Sequence, residues 1–339
     1  MQVPSSYTSS FRSRATLLLK CALLASVLPA AWLLSPPLFQ KRYPAVLADK
    51  FDRLRSIDGP KIVVIGNSNV AFGIDSSVLH KAFGRPAVNA GLHAGFSGDF
   101  LERMALVNTT PGDVYVICHA RYDDERWQPH APFLIMAMKK NWRLYSMIRK
   151  DEWPSMARGV PGYLRASIDE LAERVAFPNG RPGRPGASNS AYSRLAFNAD
   201  GDNVFPRESR YSKNEVIEPP PGPTPVTAER INDLARRLRE KGAYLVVAAI
   251  PVAEGSETAP PEAFSAFSAE LQSMLDCPVI SDFAQYIMPR ELFFDNCMHL
   301  TREGARARTE LLAKDLAAWG RAHPESGLCV AAGASAESK

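Results

Sequence analysis

The stretch that most constrains the fold is Lys61-Ile-Val-Val-Ile-Gly-Asn-Ser-Asn69. Ile62 to Ile65 are uncharged and β-branched, and they lie between Pro60 and Gly66 without any polar alternation. Such a run fits a strand buried on both faces, which points to a parallel sheet covered by helices. The rest of the chain alternates accordingly. Helices are expected at 76–83, 99–108, 228–241, 264–275 and from the Thr301 cap to Trp319, and strands at 86–90, 114–118, 243–250 and 279–281. The expected class is α/β with a mostly parallel, doubly wound sheet.

Ser68 falls just past the first strand's carboxyl end, where open α/β sheets place their sites. A serine there either caps the next helix or acts as a nucleophile. The second possibility needs a base held by an acid, and Phe293-Phe-Asp-Asn-Cys-Met-His-Leu-Thr-Arg-Glu-Gly304 contains both, Asp295 and His299. If that segment forms a helical turn, their i, i+4 spacing puts both side chains on one side. Taken singly, His299 reads as a loop or cap histidine and Asp295 as a turn former.

These residues carry a resemblance. Gly66-Asn-Ser-Asn-Val-Ala-Phe-Gly-Ile-Asp75, Val88-Asn-Ala-Gly-Leu-His-Ala-Gly95 and the block from Asp295 to Gly304 resemble the SGNH/GDSL hydrolase superfamily. The pattern is similar to its membrane-anchored branches, which include D-alanine-transfer proteins of teichoic acid synthesis and exopolysaccharide acetylation proteins. The match covers roughly residues 60–123 and 226–320. It implies a three-layer α/β/α sandwich of flavodoxin-like form, with Ser68 as nucleophile, His299 as base and Asp295 as its orienting acid. It also implies an oxyanion hole from the Ser68 backbone and Gly91, and no cofactor. The implied substrate is an acyl ester on a cell-envelope or extracellular glycan, and the implied partner a multi-pass membrane acyltransferase. The chain departs from the superfamily in two places. The spacing from Asp295 to His299 is one residue longer than the common form. After the third strand it reads His119-Ala-Arg-Tyr-Asp123, without the oxyanion asparagine. Losing such a donor typically costs about 100- to 1000-fold in turnover. His119, Arg121, Tyr122 and Asn69 are the candidate substitutes. His93 is a candidate substrate contact or a solvated loop residue. The departure leaves open a non-catalytic scaffold of an acylation or export complex, and a plain α/β ligand-binding domain is a third alternative.

Among the 339 residues, 40 Lys and Arg oppose 36 Asp and Glu, a net charge of +4 without a basic run, which argues against a nucleic-acid partner. Residues 15–39 are the one long apolar segment, about 37 Å as a helix against a bilayer core of about 30 Å. They read as an inner-membrane anchor, with Lys20 at one end and Trp32 at the other, or as a cleaved signal peptide. Lys41, Arg42, Lys50, Arg53 and Arg55 outnumber Arg12 and Arg14, and a bare charge count would place the large domain in the cytoplasm. Long domains translocate largely regardless of such charges, and with the family pattern this gives a periplasmic or extracellular domain as the expectation.

The expected organisation is a tail at 1–14, the anchor at 15–39, a juxtamembrane stretch at 43–58, and a first half-domain counted over 43–123. A cap or insertion follows at 124–225, then a second half-domain at 226–320 and a disordered tail at 321–339. Within the insertion, Leu164, Ile168, Leu171 and Val175 space as one helical face, while its Pro- and Gly-rich runs exclude regular elements. Five cysteines make no disulfide framework, although Cys277 and Cys297 are a possible pair. No metal-ligand spacing, P-loop or dinucleotide fingerprint is present.

Overall fold

A computed structural model describes residues 6–34, 37–122, 129–177, 190–212, 215–219 and 222–331. At its centre is a four-stranded parallel sheet in the order β2 (Ala87–Asn89), β1 (Ile62–Gly66), β3 (Val114–Cys118), β4 (Tyr244–Val247). Val279 extends the β4 edge through a parallel bridge to Val247, so the expected strand at 279–281 is reduced to a single rung.

Alternate strand residues enter two separate apolar clusters, as a sheet buried on both sides requires. Val63, Ile65, Tyr115, Ile117, Leu245 and Val247 pack with α2 (Val46–Ser56), α5 (Gly98–Ala105), α8 (Pro225–Glu240) and α9 (Pro261–Met274). Ile62, Val64, Val114, Val116 and Val246 pack with α4 (Ser76–Phe83) and α10 (Arg302–Ala322). The chain is therefore mixed α/β, with helices on both faces of a parallel sheet. A two-stranded ribbon of β5 (Val252–Ala253) and β6 (Ile287–Met288) lies outside that sheet.

Several boundaries differ from the sequence expectation. The juxtamembrane stretch at 43–58 is packed into the domain, with Val46, Leu47, Phe51 and Leu54 of α2 fully buried. Lys50 explains why α2 belongs to the domain. Its buried ammonium donates to the carbonyls of Asn89 at 2.8 Å, Gly91 at 2.6 Å and Gly201 at 2.7 Å, joining the helix to two loops. Helix α8 starts earlier than expected, capped by Thr224, whose hydroxyl accepts from the Thr227 N–H. Thr301 caps α10 as expected. The tail stays packed beyond residue 321, with Leu328 buried and Ala331 N–H donating to Ala82 O at 2.8 Å. Residues 332–339 lie outside the described residues, as do the Pro- and Gly-rich stretch at 178–189 and residues 123–128.

The amino-terminal helix α1 (Ser6–Leu34) ends before residue 39, and Leu38 and Phe39 are buried in the domain instead of continuing the apolar segment. Among the described residues no helix is long and apolar enough to cross a membrane. Leu17, Leu18, Leu19, Leu23, Leu24 and Val27 of α1 are nevertheless exposed. The side chain of Trp32 is outside the described set. The region at 129–177 folds as α6 (Ala131–Met138) and a long α7 (Trp153–Ala176), which pack on each other.

Candidate active site

Gly66 closes β1 because its neighbours leave no space for a side chain. A Cβ there would lie 2.4 Å from Val70 Cγ2 and 2.6 Å from the Cys118 carbonyl. The chain then turns into α3 (Ser68–Ala71), whose first backbone bonds run from Val70 and Ala71 to Asn67 O. The Ser68 and Asn69 N–H groups precede those bonds, as first-turn donors do. Ser68 is half-buried, and its hydroxyl has no hydrogen bond among the described residues. It lines a cavity of about 1020 Å³ with Asn67, Ala94, Ser97, His119, Arg121 and Met298.

Arg308, reaching in from α10, fixes this turn from behind. It is fully buried and donates to Asn69 O at 2.7 Å and Ala249 O at 3.2 Å, tying the ends of β1 and β4 together. Burial lowers its pKa, with Cys118 and Tyr286 opposing.

Asp295 and His299 are a bonded pair, Nδ1 to Oδ1 at 2.9 Å. The expected helical turn is absent. The segment is the tip of a narrow loop closed by the Phe293–Leu300 bridge and by Phe294 N–H to His299 O. Asn296 shapes the tip, its Oδ1 accepting from the N–H groups of Met298 at 2.9 Å and His299 at 2.8 Å. Nδ1 faces both Asp295 Oδ1, which only accepts, and Asn296 Nδ2, which only donates, each at 2.9 Å; with its proton directed at Asp295, Nε2 is left as the acceptor nitrogen. Nε2 has no partner among the described residues. The imidazole stacks on Phe72 with centroids 4.5 Å apart, and Phe72 N–H donates to Ser68 O. The base thus stacks on the residue one helical turn past Ser68. His299 is not itself among the cavity-lining residues, whereas its neighbour Met298 is.

Two residues that the sequence left in the insertion brace this region, Tyr192 at the pair itself and Arg207 at the backbone beside it. Tyr192 donates to Asp295 Oδ2 at 2.6 Å, and its oxygen lies 3.2 Å from His299 Nδ1. Burial, then the Asp295 hydrogen bond, push its phenol pKa up, so it remains a donor. Arg207 donates to Leu300 O at 3.0 Å and Phe72 O at 3.3 Å, with its guanidinium 5.5 Å from the Phe72 ring centroid. Burial first, then Arg302, bring its pKa down to about 10. Neither residue belongs to a spaced motif. Only the apolar Tyr192 neighbourhood, Ala191-Tyr192 and Leu195-Ala196-Phe197, marked that stretch as packed.

The expected oxyanion groups fare differently. Gly91 sits hard against α3, where a Cβ would meet Val70 Cβ at 2.4 Å, but its N–H donates to Asn89 Oδ1 at 3.1 Å. It serves a close backbone approach and is not a free donor. Asn69 is buried, and its amide donates to Cys118 O at 3.0 Å. Tyr122 is buried away from the cavity, and burial pushes its phenol pKa up. Arg121 is exposed at the cavity wall. Ala94, which opens the 3-10 turn Ala94–Phe96, lines the cavity beside Ser68. His93 accepts from Gly95 N–H through Nδ1 at 2.9 Å and packs edge-on against Tyr43 and Phe133. Its pKa is lowered by burial, then by His299 and His130. It therefore caps a turn instead of presenting Nδ1 to a substrate.

His119 takes the position where the superfamily pattern has asparagine, and it belongs to a buried cluster. Its Nε2 lies 2.7 Å from Glu102 Oε1, while Arg230 pairs with the other Glu102 oxygen. Glu102 is desolvated by burial, but Arg230 and His119 outweigh that and hold its pKa down at about 2. Next to it Ser97 adopts φ 60°, an uncommon conformation for a residue with a side chain, and caps α5 by accepting from Phe100 N–H. All five cysteines are free. Cys297 sits in a cluster with Tyr211 and Phe293, apart from the main cluster that holds Cys277, and the possible pair is not formed. Among the described residues no group of three or more His, Cys, Asp or Glu could hold a metal ion. No protein-family model matches the chain, and no curated protein matches it.

Proposed function

We propose that this chain is a serine esterase or O-acyltransferase of SGNH type, held at a membrane by α1 and acting on an O-acylated cell-envelope or extracellular glycan. The observation that carries the reading is the Asp295–His299 pair stacked on Phe72, one turn from a serine whose hydroxyl is unengaged at a cavity wall. The strand order β2-β1-β3-β4, with helices on both faces, fits the three-layer sandwich of that superfamily. The exposed leucines of α1 support the membrane association. In the proposed chemistry Ser68 Oγ attacks an ester carbonyl while His299 Nε2 takes its proton. The tetrahedral oxyanion is met by first-turn N–H groups at Ser68, with the Ala94 N–H as the nearby alternative to Gly91. Collapse expels the alkoxide, which receives the proton from His299, and leaves an acyl-serine. Water resolves that intermediate in an esterase, and a sugar hydroxyl does so in a transferase.

Ser68→Ala should abolish hydrolysis of an acetyl ester while the thermal unfolding curve stays in place; retained turnover would refute the nucleophile. A second reading, a non-catalytic scaffold of a polysaccharide acylation or export complex, is favoured by one specific observation. The Gly91 N–H expected in the oxyanion hole is bonded to Asn89.

A further inference from the structure

We propose that the outer face of α7 rests on the surface of a lipid bilayer beside α1, an inference that builds on the reading of α1 as the membrane anchor. The first half of α7 packs Met156, Val160 and Leu164 inward, but its last two turns carry apolar side chains outward, unlike a helix packed in water. Its inward positions include Tyr163, Ser167 and Glu170, all buried, while Ile168, Leu171 and Val175 are 66%, 45% and 81% exposed. Spacings of three and four residues put those three on one face, and the stripe runs about 10 Å along the axis at 1.5 Å per residue.

The polar side fastens α7 to the segment that leaves α1. Glu170 accepts from Arg42 at 2.7 Å, Arg174 donates to Leu38 O, and Phe39 meets Tyr163 edge-on at 5.8 Å between centroids. Helix α1 also packs against α7. The stripe is thus locked beside the exit of α1, whose own leucines are exposed. Two helices in contact both expose apolar side chains, and amphipathic helices on membranes bury such a face roughly 5–10 Å into the headgroup boundary. Between 164 and 177 two arginines, 165 and 174, face three carboxylates, Asp169, Glu170 and Glu173. The contact is therefore apolar in character, and a neutral bilayer suffices.

The test uses the full chain in phosphatidylcholine vesicles, with and without phosphatidylglycerol. The exposed thiols are removed as Cys21→Ser and Cys329→Ser. An environment-sensitive fluorophore is then placed at Leu171→Cys, at Leu18→Cys in α1, or at Glu310→Cys on the exposed side of α10. The expected result is quenching at 171 and 18 by spin-labelled lipid, shielding of both from aqueous iodide, and the reverse at 310, all independent of phosphatidylglycerol. Lipid quenching at 18 with full iodide access at 171 would overturn the inference and leave the anchor intact. Full iodide access at both sites, with protein that does not float with the vesicles, would remove both. Iodide shielding at 171 without lipid quenching, accompanied by a dimer in light scattering, would assign the stripe to a second copy and also overturn the inference.

Discussion

Replacing Lys50 by methionine isolates the contact that ties α2 to the site. The ammonium is fully buried and bonds the carbonyls of Asn89, Gly91 and Gly201 at 2.6 to 2.8 Å. Lys50→Met keeps the stem's length but leaves three carbonyls without this donor. A buried unsatisfied polar group costs about 1–3 kcal/mol, so the gross loss is about 3–9 kcal/mol. Removing a buried ammonium also relieves a desolvation penalty of several kcal/mol, which offsets part of that loss. The expected net destabilisation is about 2–4 kcal/mol, read as a lowered urea midpoint with an unchanged slope. Circular dichroism at equilibrium is the assay. A midpoint corresponding to less than about 0.5 kcal/mol of change, the usual range for surface substitutions, would refute the assignment of Lys50 as the staple between α2 and the Gly91 loop.

Three further outcomes follow from the same geometry. Tyr192→Phe removes a hydrogen bond to the Asp295 carboxylate, worth about 1.5–3 kcal/mol; if its orienting effect is lost in the transition state, kcat should fall about 10- to 100-fold with KM little changed, and equal kcat would deny Tyr192 a positioning role. Glu102 has its pKa lowered from 4.5 to about 2, so its contribution is complete above pH 4.5 and disappears as pH falls towards 2. That loss is on the order of 3 kcal/mol, and Glu102→Gln should flatten the stability profile between pH 4.5 and 2, a result that pH-resolved denaturation would contradict if both curves fell alike. Gly66→Ala should destabilise by at least about 1–3 kcal/mol, measurable by thermal unfolding, because the added Cβ meets Val70 Cγ2 at 2.4 Å and the Cys118 carbonyl at 2.6 Å.

The parallel core was legible because its signal is local. Ile62–Ile65, Val114–Cys118 and the stripe of α8 each carry their period within one element. Asp295 and His299 were legible from spacing, although the geometry that joins them is an Asn296-shaped loop and not a helix. What could not be read was long-range. Tyr192 meets Asp295 across 103 residues, and Lys50 meets Gly201 across 151, with no periodicity to announce either pairing. Gly91 misled for a different reason. Its small size serves the close approach to Val70, while whether its N–H is free depends on where the Asn89 side chain turns. The α7 stripe was visible as a pattern, but a pattern gives a face without giving its direction, and here Leu164 packs on the core while Ile168, Leu171 and Val175 point outward.

The most direct test of the Ser68 and His299 assignment is mass mapping of the adduct formed with a fluorophosphonate, comparing the unaltered protein with His299→Ala. The account predicts a single phosphonylated residue at Ser68, formed at least about 1000-fold more slowly when the imidazole is absent. No adduct on the unaltered protein, an adduct at another serine, or an equal rate without His299 would contradict it.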